Sequence, residues 1–121
     1  MGLDMYAMIT KEQFDEPVDL QASACELLHY WHKHPNLHGW MENLYYDKGG
    51  SAPAFNGAQV LLTPHDLDDL ENALLSGALP DTEGFFFGKS DGSELDGDLE
   101  FLDKARRAQA KGYSVFYDSW W

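Results

Sequence analysis

The chain is expected to fold as a single two-layer α/β (α+β) domain, about four strands in one sheet with three helices packed mainly on one face, in the order ββααβαβ. Three observations point there. Short alternating segments stand at both ends, "LDMYAM" and "YSVFYDSWW". Leu37, Trp40, Met41, Leu44 and Tyr45 recur at i, i+3, i+4, i+7 and i+8, which is one buried helical face. Thr63 followed by Pro64 supplies an N-cap and a first-turn proline before another apolar stripe. At 121 residues, with 44% hydrophobic and 14% aromatic content, the chain is long enough to bury one core and is read as one domain, 1–121.

Taken in order, Leu3, Met5 and Ala7 alternate with Asp4, Tyr6 and Met8 in a half-buried first strand. Residues 9 to 23, polar and containing Pro17, read as a surface connection free to move. "ACELLHYW" is the second strand, with Cys25, Leu27, His29 and Trp31 on one side and Cys25 a small buried residue. Pro35 keeps His34 out of the helical region, Asn36 caps the first helix, and "KGG" at Lys48 to Gly50 ends it. "SAPAFNGAQ" reads as a loop. The second helix runs from Pro64 to about Gly77 on a stripe of Leu67, Leu70 and Leu74. Phe85, Phe86 and Phe87 between glycines read as a buried third strand. Ser93 then caps a third helix facing inward with Leu95, Leu99, Leu102 and Ala105. Tyr113, Val115 and Tyr117 alternate in the last strand, and a right-handed crossover from the third strand follows if the two are parallel.

Charge narrows the function classes. Twenty-one acidic against eight basic residues give a formal net charge of -13, which opposes phosphate-backbone binding and excludes a direct nucleic-acid ligand. Between Val60 and Asp103 twelve acidic residues stand against Lys89 alone. If the second and third helices lie side by side, they form one negative face for a basic partner, with Asp66, Asp68, Asp69, Glu71, Asp96, Asp98 and Glu100 as its contact residues. One cysteine makes no internal disulfide, no run approaches the ~18 apolar residues of a membrane span, and the start lacks a basic, apolar leader pattern. A cytoplasmic location is expected.

The segment "YWHKHPNLHGW" raises the question of chemistry. His29, His32, His34 and His38 include H-x-x-H and H-x-H spacings, but strand, turn and helix would aim them apart, so no metal and no cofactor is assigned. A small-ligand pocket built from His32, His34, His38, Tyr117 and Trp120 is the alternative to the acidic face. His65 beside Asp66 reads as a helix start, since adjacent helical positions do not share a face. "DGSELDGDLE" fails the calcium-loop pattern, "GKSDG" is no phosphate loop, and Cys25 and Ser119 lie in no nucleophile signature. No catalytic residue is assigned, and a non-enzymatic role is favoured. Trp120 and Trp121 must fold back or meet another chain, so self-association through them is the third reading.

"MGLDMY", "YWHKHPNLHGWM", "LPDTEGFFFG" and "YDSWW" together resemble a recurring pattern in short bacteriophage, prophage and bacterial proteins of unknown function. The resemblance spans most of the chain and implies the same order of elements, with Trp31, Lys33, Leu37, His38 and Trp40 in a shared segment. Some such proteins are labelled phosphoglycerate kinase, an activity that 121 residues without phosphate-binding features cannot hold. The resemblance implies a mobile-element setting and a host-directed role, for example anti-CRISPR-like inhibition of a host defence complex.

Overall fold

The computed structural model describes residues 2–84 and 87–121. Its elements are β1 (Asp4–Thr10), β2 (Glu26–His32), α1 (Pro35–Asp47), β3 (Val60–Leu62), α2 (Pro64–Ser76), α3 (Leu95–Ala110) and β4 (Ser114–Trp120). The sheet runs β2-β1-β4-β3 and every neighbouring pair is antiparallel. The two-layer α+β class, four strands and three helices are as expected. The described third strand is Val60–Leu62, ahead of α2, in a stretch whose three residues are too short to show alternation. Of the strand expected over Phe85 to Phe87, Phe85 and Phe86 lie outside the described residues, and Phe87 is buried but belongs to no strand. Because β3 meets β4 antiparallel, those two strands make no parallel crossover.

Cross-strand partners share a face, so the register sorts the side chains. Met5, Ala7, Trp31, Val60, Leu62, Val115 and Tyr117 turn inward and join the core with residues of all three helices. Asp4, Tyr6, Tyr30, His32, Asp118 and Trp120 occupy the other face. The β1–β2 register shifts between Ala7 and Met8, where Ala7 faces His29 but Met8 faces Leu27. That bulge leaves Leu28 without a partner and reverses the phase of β2 before it. Leu27 is therefore 56% exposed instead of inward, and Cys25 is exposed rather than buried. The free edge of β3 is covered by the 11–25 connection, since Leu61 donates to Pro17 O and Asp19 to Gln59 O.

Each helix sits where its stripe can be buried. Leu67, Leu70 and Leu74 of α2 are buried, and Thr63 forms a capping box with Asp66. Gly77 closes this helix in the left-handed region at φ 69, which glycine adopts without strain. Proline at the first position sets the start of α1, so His34, not Asn36, is its N-cap residue, with φ -112 and ψ 73. Helix α3 buries Leu102 and Ala105 as expected, with Leu95 as the exception. Asp98, Phe101, Leu102, Ala105 and Ala108 are inward, Leu99 is half-buried and Leu95 is exposed. Its N-cap residue is Glu94, and neither Ser93 nor Glu94 caps it with a side chain. Among the described residues no helix is long and apolar enough to cross a membrane.

Candidate functional site

The polar residues that most need a partner lie where the start of α1 meets the start of α3. Asp98 is 2% exposed on the apolar stripe of α3, where an unpaired carboxylate would cost several kcal/mol, roughly the penalty for any buried ion. Two donors satisfy it. Trp31 Nε1 donates to Oδ1 at 3.0 Å, and His34 Nε2 lies 2.9 Å from Oδ2. Pro35 produces this geometry, because it holds His34 outside the helix and lets its ring turn into the interior, where it is 3% exposed.

The other ring nitrogen, His34 Nδ1, lies 2.7 Å from Ser90 Oγ. Ser90 sits between Gly88 and Gly92, whose φ values of 75 and 91 allow the tight path that brings the hydroxyl back to α1. The same Oγ accepts from Asn36 N at 3.1 Å, so it satisfies one of the orphan donors that the His34 side chain leaves uncapped. In the neutral tautomer that places its proton on Nε2, toward the Asp98 carboxylate, which only accepts, Nδ1 presents its lone pair to the Ser90 hydroxyl. Carboxylate, imidazole and hydroxyl therefore form one directed chain.

Ser90 and His34 line a cavity of about 220 Å³. Leu74, Leu79 and Leu95 form its apolar side, and Asn36 and Glu94 add polar groups. Asn36 Oδ1 accepts from Thr82 N at 3.0 Å, which orients the amide with its nitrogen left as a donor. Glu94 Oε2 is 3.8 Å from His34 Nδ1, and its carboxylate also takes Asp91 N and Gly92 N. The lining thus combines the Glu94 carboxylate with an apolar wall, a setting that disfavours anions.

The five residues expected to share a pocket divide among three places, so the single cluster of His32, His34, His38, Tyr117 and Trp120 does not form. His34 alone reaches the cavity. His38 is buried against Phe55 and Phe87, with Nδ1 2.7 Å from the Tyr117 hydroxyl. Burial pushes His38 down to about 4 and raises Tyr117 well above its ordinary value, so both are neutral members of the core near neutral pH. His32 lies on the open sheet face with Asp4 and Tyr30, where the Asp4 hydrogen bond pushes the Tyr30 phenol up to about 12. Trp120 is 66% exposed on that face, whereas Trp121 is tied back through Nε1 to Phe55 O and against Phe87. Among the described residues no three His, Cys, Asp or Glu side chains converge as a metal set.

The acidic residues also divide. Asp66 is buried, accepts from Thr63 N and pairs with Lys48, while Asp98 is the buried carboxylate just described. Neither is available to a partner. Asp68 and Glu71 share Arg106, at 2.9 and 3.2 Å, and Asp69 meets His65. Asp96 and Glu100 are exposed on α3, which packs beside α2.

No family model matches the chain. No curated protein and no solved structure matches it either. Sequence reasoning missed Ser90 and the inward role of Asp98. The signal for Asp98 was present, since it falls three, four and seven residues before Phe101, Leu102 and Ala105, and a carboxylate on an apolar stripe calls for buried donors. Ser90 carries no such local mark.

Proposed function

We propose that the protein binds a small neutral molecule bearing a carbonyl or amide group in the cavity between the starts of α1 and α3. The supporting observation is the Trp31–Asp98–His34–Ser90 chain, which brings a fixed hydroxyl to the wall of a partly apolar cavity. At about 220 Å³ the space suits a fragment of a few heavy atoms, below the ~300 Å³ at which drug-sized sites begin. Ser90 and the Asn36 amide nitrogen offer hydrogen bonds, and Leu74, Leu79 and Leu95 cover an alkyl group. Glu94 and the -13 net charge repel anionic ligands.

The test is ligand-observed NMR with butyramide. Saturable binding to the wild-type protein is expected, and Leu95→Trp, a change at an exposed position, should fill the cavity and abolish it. Undiminished binding to Leu95→Trp would remove this reading.

A second reading rests on a different observation. Helices α2 and α3 lie side by side with Asp69, Asp96 and Glu100 exposed, which supports docking of a basic host protein or nucleoprotein, an anti-defence role included. Its reduced residue set is Asp69, Asp96 and Glu100. Replacing these three with Asn should abolish salt-sensitive capture of such a partner, and unaltered capture would remove it.

A further inference from the structure

We infer that Ser90 is a nucleophile for acyl transfer, with His34 as its general base and Asp98, held by Trp31, as the group that orients the imidazole; this rests on the cavity being a ligand site. The distances meet the requirement for such a chain, 2.7 Å from hydroxyl to base and 2.9 Å from base to carboxylate. The three residues come from a turn, a loop and a helix, 56 and 64 residues from His34 in sequence. A helix cap alone needs only the Ser90 hydroxyl. It does not need a buried imidazole aimed at that hydroxyl or a buried carboxylate behind the imidazole. The ring order is carboxylate at Nε2 and serine at Nδ1, the reverse of the familiar serine hydrolase order, yet the roles are the same because either nitrogen accepts a proton when the other is tied to a carboxylate.

The reaction balances with an ester and water. Ser90 Oγ attacks the acyl carbon while its proton passes to His34 Nδ1. The resulting imidazolium is stabilised by Asp98, and the Asn36 N–H, 3.1 Å from Oγ, fixes the position of the hydroxyl before attack. Collapse breaks the bond to the alcohol, which takes the proton from Nδ1 and leaves an acyl-serine. Water then attacks the acyl carbon, gives its proton to Nδ1, and the carboxylic acid departs as Ser90 regains its hydrogen. Leu74, Leu79 and Leu95 limit the acyl group to a short chain.

The probe is p-nitrophenyl acetate, applied to a Cys25→Ser protein because the exposed thiol would itself be acylated. Intact-mass and peptide mapping should find one acetyl group on Ser90, absent in Ser90→Ala and retained, on sulfur, in Ser90→Cys. Asp98→Asn, with its fold checked by circular dichroism, should slow nitrophenol release about a hundredfold, in the range general-base assistance supplies. Acetyl found only on lysines or the terminal amine, or a Ser90→Ala protein that reacts as fast as its parent, would overturn the proposal. Butyramide binding separates the two levels. If it binds and Ser90 is not acylated, the nucleophile falls and the cavity reading stands; if Ser90 is acetylated and butyramide does not bind, the nucleophile stands and the amide-ligand reading falls.

Discussion

Asp98 holds two residues that lie far from it in sequence, because its two oxygens are the acceptors for Trp31 and His34. Removing it leaves two buried N–H donors without partners, each a desolvation loss with nothing returned. Asp98→Ala is expected to cost about 3 kcal/mol in urea denaturation, against about 0.5 kcal/mol or less for an ordinary surface change. His38 gives a pH dependence of definite sign. Its folded value lies near 4 and its ordinary value is 6.5, so the unfolded chain binds the extra proton. Stability from this group is complete above pH 6.5, falls as pH drops toward 4, and levels below it, by up to about 3 kcal/mol. His29 is lowered by burial in the same direction, so the test is a difference. His38→Gln should flatten the pH 7 to 4 slope relative to the wild-type protein, and equal slopes would contradict the assignment.

At the scale of elements, local signals and tertiary ones separate cleanly. Helix α2 was legible to its ends because the Thr63 cap, Pro64, the leucine stripe and Gly77 all act within the helix itself. Thr63→Ala should therefore cost about 1 kcal/mol by thermal or chemical denaturation, with the fold intact. Strand β3 was not legible, since three residues between a loop and a helix show no period, and its pairing with β4 reaches across more than fifty residues of sequence. The bulge at Leu28 likewise has no mark in the sequence, and it takes Leu27 off the inward face, while Cys25 lies exposed just ahead of β2. On α3 Leu102 and Ala105 face inward as their spacing implies, whereas Leu95 does not, and Asp98 takes an inward place with Trp31 and His34 as its partners. The histidine segment read correctly as a strand-to-helix joint, while the partners that give His34 chemical meaning, Ser90 and Asp98, come from loops and helices that no local pattern connects to it.

The whole molecule carries -13 charges on a 121-residue domain, and several of its acids are already paired within the fold. Mutual repulsion among the rest is screened by salt, whereas exposed ion pairs contribute little to begin with. Added sodium chloride should raise Tm, by about 4 °C for each kcal/mol of repulsion removed, and a fall in Tm would show that the pairs outweigh the repulsion. The overall charge and the small cavity also fit together, since a negative surface favours neutral ligands over anions in a cavity lined by Glu94. The most direct test of the His34 site is long-range ¹H–¹⁵N NMR of the histidine rings during a butyramide titration. A His34 ring protonated at Nε2, whose Nδ1 resonance moves to saturation while those of His32 and His65 stay fixed, is the predicted result; binding that leaves the His34 ring unmoved would contradict it.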